Sequence, residues 1–92
     1  MFRTITTSPS NWLDNDLPEE AMAEIQAELD RLKLLGKTDG IQLRLGKTTE
    51  LYRSGRFWYS KESAEQWIVF ITNLHTKYSL PPLIEAEVKD VS

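Results

Sequence analysis

The chain has 92 residues, of which 40% are apolar and 27% are charged, and it contains no cysteine. This length allows one domain and excludes two, and the apolar content excludes an intrinsically disordered chain. The lack of cysteine excludes disulfides, thiolate nucleophiles and cysteine-based zinc sites. The net charge of −3 argues against attraction of the whole molecule to nucleic acid.

The sequence offers no segment that would suit a membrane. Its longest apolar run covers residues 67–71, whereas a spanning helix needs about 20 residues. The first ten residues, MFRTITTSPS, lack the apolar stretch of a signal peptide. We therefore predict a cytoplasmic protein with no membrane partner.

The first half of the chain predicts a strand and a helix. Residues 2–7, FRTITT, are β-branched and aromatic, which favours a strand. Residues 17–35 predict helix one, because Met22, Ile25 and Leu29 recur at helical spacing. Asp16 and Glu19 have the spacing of a capping box at its start, and Gly36 follows its end.

The second half predicts two strands, a helix and a closing strand. Residues 41–45 alternate between apolar and polar, Gly46-Lys47 predicts a turn, and residues 49–60 are again strand-like. Ser54-Gly55 interrupts that last stretch as a bulge or a hairpin turn, of which we favour the bulge. Helix two follows its N-cap Ser60 and ends before Pro81-Pro82, and residues 84–88 alternate as a strand.

The resulting order is β-α-β-β-α-β over a single α+β domain, residues 1–92. With both helices on one face of an antiparallel sheet, this order predicts the ferredoxin-like arrangement. The arrangement alone implies no function, because it is used by many unrelated proteins.

The segment Arg53-Ser-Gly-Arg-Phe-Trp-Tyr59 combines bases with aromatic rings. Phe57 and Tyr59 lie on one side of a strand, where rings can stack on bases while Arg53 and Arg56 hold phosphate. With a shifted spacing, the segment resembles the third-strand motif of the RNA-recognition motif family. One alternative function is therefore a module that binds single-stranded nucleic acid.

His75 lies in the apolar stripe of helix two and is the only histidine. Such a residue is usually a core histidine with a satisfied hydrogen bond. The strand order and the Trp-bearing second helix are similar to the dimeric α+β barrel monooxygenases and their relatives, whose sheets pack face to face and which hold small molecules between sheet and helices. A second alternative is thus a small-molecule enzyme with a pocket near His75.

A third resemblance covers the back half of the chain. It is carried by an Arg-x-Trp strand end, a polar cap and the pattern Ala-x-x-Trp-Ile-x-Phe-Ile. The matching residues are Arg56, Trp58, Ser60, Ala64, Trp67, Ile68, Phe70 and Ile71, with a closing strand at residues 85–88. These features resemble short products of tailed phages and prophages, which implies a small accessory or virion-associated protein.

More apolar surface is present than one core requires. Val69 and Phe70 lie outside the main stripe of helix two, and the third strand adds rings on a sheet face. Our leading hypothesis is a non-enzymatic interaction or assembly protein that binds itself as a homo-oligomer, or another protein, through that face. The candidate interaction residues are Tyr52, Arg53, Arg56, Phe57, Tyr59, Val69 and Phe70. We predict no catalytic residue, cofactor or metal site.

Overall fold

Strands and helices follow one another along the chain in the predicted order β-α-β-β-α-β. The computed structural model describes residues 1–9, 18–48 and 50–91. Within these ranges the elements are β1 (Phe2–Pro9), α1 (Glu19–Leu34), β2 (Gln42–Lys47), β3 (Leu51–Trp58), α2 (Lys61–Lys77) and β4 (Glu85–Asp90). No helix of the described ranges has the length and apolar character needed to cross a bilayer.

The four strands form one antiparallel sheet in the order β2-β3-β1-β4. Each β-α-β unit is split by an inserted strand, because β3 separates β1 from β2 and β1 separates β3 from β4. The predicted ferredoxin-like fold is therefore confirmed. At the end of the β1–β4 pair, the Val91 N–H donates to the Met1 carbonyl at 3.0 Å.

The core lies between the sheet and the two helices and is built on tryptophan. Trp58 is fully buried, and its ring centroid lies 5.3 Å from that of Trp67 on α2. Phe70 stacks on Trp67 with ring centroids 5.2 Å apart, and α1 contributes Leu29 and Leu32. Phe70 thus packs against the core, although the sequence placed it outside the main stripe.

Gly55 allows β3 to be one continuous strand. Its backbone pairs in regular register with Ile5, so neither the bulge nor the hairpin predicted at Ser54-Gly55 is present. A Cβ at this position would lie 3.0 Å from the Thr4 carbonyl oxygen and 3.2 Å from Leu45 Cδ1, which explains why glycine occupies it.

The bulge lies instead in the neighbouring strand β2. The register shifts between Arg44 and Gly46, so that Leu45 is the additional residue. The predicted turn at Gly46-Lys47 is also wrong, because both residues belong to β2. The chain reverses later, where the Thr48 hydroxyl oxygen accepts from the Leu51 N–H at 2.9 Å.

The two helices differ in how they begin. Ser60 caps α2 as predicted, because its Oγ accepts from the Ser63 N–H at 3.1 Å. α1 begins at Glu19, and Pro18 occupies the N-cap position without a side-chain cap. The predicted capping box is therefore wrong in register, since Glu19 is the first helical residue; Asp16 lies outside the described residues.

The two helices end in the same way. In α1 the N–H groups of Gly36 and Lys37 donate to the carbonyls of Lys33 and Leu32, both at 3.0 Å. This Schellman motif requires a left-handed residue, and Gly36 supplies it with φ 72°. In α2 the equivalent donors are Ser79 and Leu80, and Ser79 adopts φ 54°.

Candidate functional site

The sheet has two different faces, and β3 shows how they are divided. Successive side chains of a strand alternate between faces. Trp58 packs against α2, so Arg56, Ser54 and Tyr52 share the helix-facing side with it. Phe57, Arg53 and Leu51 lie on the opposite side, which we call the open face because no described helix covers it.

The open face carries apolar side chains beside a buried centre. Ile5 is 4% exposed there, whereas Leu45 and Leu51 at its β2–β3 side are each 38% exposed. Leu43 and Phe57 are half-buried on the same face. An exposed apolar strip on a sheet face that no described helix covers is typical of a protein–protein contact.

Charges of both signs flank this apolar strip. On the open face of β4, Glu85 and Glu87 pair with β1 residues Thr7 and Ile5, and Lys89 pairs with Arg3.

Arg3 Nε is buried and has no hydrogen-bond partner within the described ranges. A buried donor without an acceptor is costly, so an acceptor from outside would stabilise it.

Arg56 and Tyr52 do not lie on the open face, contrary to the expectation that they join Phe57 there. Arg56 Cζ lies 5.5 Å from the centroid of the Trp67 ring, between sheet and helices. Arg44 Cζ lies 5.9 Å from the Tyr52 ring centroid. The reason is the regular register of β3, which places every second residue from Trp58 on the helix side.

The predicted basic and aromatic platform for nucleic acid is correspondingly smaller. Of its members on β3, Phe57 and Arg53 share the open face, and the half-buried Arg56 does not. Glu85 and Glu87 lie on that same face and would repel phosphate.

The remaining predicted interaction residues lie apart from one another. Tyr59 follows β3, is 54% exposed, and its N–H donates to the Lys37 carbonyl at 3.1 Å. Val69 is 58% exposed on α2, whereas Phe70 on the same helix packs against Trp67. The structure therefore brings Arg53 and Phe57 together on one face and separates Val69 and Phe70 from them.

His75 is buried at the C-terminal end of α2. Its Nδ1 donates to the Pro81 carbonyl at 2.8 Å, since a carbonyl only accepts. This is the satisfied core histidine that the sequence favoured. Over the described ranges, no group of three His, Asp or Glu residues is placed to hold a metal ion.

A cavity of about 300 Å³ lies between the helices and the helix-facing side of the sheet. His75 is one of its lining residues, so the cavity lies where the second alternative placed a pocket, whereas Thr6, Gln42 and Ser54 on its sheet wall were not predicted. Because every second side chain of a strand points to the same face, Ser54 could have been placed on the face of Trp58 from the sequence alone.

Comparisons with known proteins add no relative. No protein-family model, curated protein or solved structure matches the chain. The resemblance to phage products thus stays a prediction, and function has to be argued from the geometry.

Proposed function

We propose that this chain is a non-enzymatic assembly protein that associates with a second copy of itself through the open face of its sheet. The observation that carries the proposal is the apolar strip on that face, in which Leu45 and Leu51 are exposed and Phe57 is half-buried. Two such faces can pack as in a β-sandwich, with their strands about 30° apart.

The charges on β4 favour one orientation of the second copy. When the two-fold axis lies between the two sheets and runs perpendicular to the strands, β4 of one copy lies over β4 of the other with the opposite strand direction. Glu85 at the start of β4 then faces Lys89 at the end of β4 in the second copy. By the same reversal, Arg53 faces Phe57, which provides a cation–π contact. Glu87 faces Glu87 of the second copy at the edge of the interface, where repulsion between solvated charges is weak.

The resemblance to tailed-phage products fits such a role. A small cytoplasmic accessory or virion-associated protein that joins copies of itself needs a complementary face and no catalytic centre. The open face supplies that kind of surface.

Light scattering over a range of concentrations tests the association. We expect a dimer whose mass falls to that of a monomer in Leu51→Glu, because a charge would be buried in the interface. The matched control is Val69→Glu, which changes another exposed apolar residue, on α2, and leaves the dimer intact.

A charge exchange tests the orientation. Glu85→Lys and Lys89→Glu should each weaken the dimer, and the double variant should restore it because the pair is rebuilt in reverse. A wild-type monomer at every concentration contradicts the proposal, as does a dimer that Leu51→Glu and Val69→Glu weaken equally.

A further inference from the structure

The cavity has one apolar wall and one polar wall. It lies on the other side of the sheet from the open face, so nothing inferred about it depends on self-association. The apolar wall is formed mainly by Met22, Ile25, Trp67, Ile71 and Leu83, with Gln26 and His75 as its polar members. The polar wall includes Thr6, Ser8, Gln42, Tyr52, Ser54 and Arg56.

Arg56 brings a positive charge to this cavity. Within the described ranges, no carboxylate lines the cavity and no ion pair involves Arg56. Burial lowers the pKa of its guanidinium, and the nearby Asp39 carboxylate opposes that effect only in part. The half-buried cation is therefore poorly compensated by the protein.

The guanidinium also has unused hydrogen-bonding capacity. Its Nη1 donates to the Gly40 carbonyl at a long distance of 3.5 Å, and its Cζ lies over the Trp67 ring at 5.5 Å from the centroid. Because a guanidinium carries five N–H donors in one plane, it can still bind a carboxylate through two parallel hydrogen bonds. The Gln42 amide and the Tyr52 hydroxyl line the same cavity as further donors.

We propose that this cavity binds a small organic carboxylate with an apolar tail. The carboxylate lies on Arg56, and the tail packs along Ile25, Ile71 and Leu83. A volume of about 300 Å³ is at the lower end of the range for small-molecule sites, which suits a ligand of about ten non-hydrogen atoms.

Titration with octanoate tests the proposal by calorimetry and by NMR of the tryptophan indole groups. We expect saturable binding with a Kd on the order of 0.1–1 mM, as for a ligand of this size. Arg56→Gln should weaken binding at least about tenfold, because the charged hydrogen bonds are lost. Arg53→Gln is the matched control on the same strand but the opposite face, and it should change the Kd by less than about twofold.

Two further measurements separate the carboxylate from the tail. Octan-1-ol has the same tail without the charge, so it should bind at least about tenfold more weakly than octanoate. Ile71→Phe fills the cavity without touching Arg56, so it should abolish octanoate binding even if Arg56→Gln fails to fold.

Three results would overturn the inference. They are no saturation by octanoate up to about 10 mM, equal weakening in Arg53→Gln and Arg56→Gln, and equal affinity for octanoate and octan-1-ol. The dimer mass of Ile71→Phe should remain that of the wild type, so failure of the ligand site is distinguishable from failure of the self-association.

Discussion

At the scale of single residues, a buried hydrogen bond fixes the centre of the core. The indole N–H of Trp58 donates to Thr4 Oγ1 at 3.0 Å, and both side chains are fully buried. The Thr4 hydroxyl is a donor as well, towards the Arg56 carbonyl at 3.4 Å. The Thr4 hydroxyl on β1 thus forms hydrogen bonds with both the Trp58 side chain and the backbone of β3.

Thr4→Val should lower the free energy of unfolding by about 1–3 kcal/mol, because it leaves the Trp58 N–H buried without an acceptor. Valine matches threonine in shape, so lost packing does not explain the effect. Denaturant unfolding measures it, and the NMR shift of the Trp58 indole proton reports the hydrogen bond directly.

Thr4→Ser is the control for this prediction. It keeps the oxygen and removes a methyl group, which costs about 1 kcal/mol. A Thr4→Val variant that is at least as stable as Thr4→Ser would show that the hydrogen bond does not matter.

At the scale of secondary structure elements, the ends of the helices provide a natural comparison. Both helices close with a Schellman motif, but the left-handed residue is Gly36 in α1 and Ser79 in α2. Nothing lies within 4 Å of a Cβ built at Gly36, so a side chain there meets no clash. Any difference between glycine and serine at this position is conformational.

Exchanging the two residues should change stability in opposite directions. The left-handed conformation costs a non-glycine residue about 1–2 kcal/mol, which exceeds the entropic cost of glycine of about 0.5–1 kcal/mol. Ser79→Gly should therefore stabilise the protein by about 0.5–1 kcal/mol, and Gly36→Ser should destabilise it by a similar amount. Thermal unfolding shows each as a shift of about 2–8 °C; shifts of the same sign would contradict the argument.

Periodicity in the sequence was enough to predict the elements, but it did not assign the faces of β3. Spacing places Leu29 and Leu32 in the core, and Ser60 is an unambiguous cap. The glycine at position 55 suggested a bulge, which would have changed the face of each residue beyond it. Glycine is needed at position 55 because the Thr4 carbonyl of β1, about fifty residues away in the sequence, lies too close for a Cβ. Local sequence patterns do not contain this tertiary contact.

The position of the bulge could not be predicted for a similar reason. Leu45 looks like an ordinary apolar residue of an alternating strand, and its bulged state appears only from the pairing of β2 with β3. The sequence likewise suggests that Arg56 is a surface base. Only the structure shows that Arg56 lies over the ring of Trp67, which belongs to α2.

At the scale of the whole molecule, a polar cluster joins the two helices. The Glu24 carboxylate on α1 accepts hydrogen bonds from the Tyr78 hydroxyl and from Lys77 Nζ, the latter at 3.0 and 3.1 Å. These two donors, Tyr78 first, lower the pKa of Glu24 below its usual value of 4.5, and the Glu24 bond raises the pKa of Tyr78. The cluster links residues separated by more than fifty positions.

This cluster should make stability depend on acid pH. A carboxyl group with a lower pKa in the folded state stabilises the fold above its unfolded pKa, and that contribution disappears as pH falls through the folded value. Wild type should therefore be more stable than Glu24→Gln at pH 7, and the difference should shrink as pH falls below the unfolded pKa of about 4.3 and through the lower folded pKa. Denaturant unfolding from pH 7 to pH 3 measures it.

Glu65→Gln, at an exposed site on α2, is the control and should show a smaller difference at pH 7. A carboxyl titration by NMR gives the second readout, since the midpoint of Glu24 should lie below 4.5. A midpoint above that value would contradict the proposed role of Tyr78 and Lys77.

The hydrogen bond between Val91 and Met1 has a consequence for how this fold can be rearranged. Because β1 and β4 are neighbours, their outer ends meet at one corner of the sheet. A short flexible linker can therefore join them into a circle that is reopened at the exposed turn between β2 and β3, with every strand pairing kept. For the same reason, the fold can be spliced into a surface loop of a host protein, as an insert that enters and leaves through a single point.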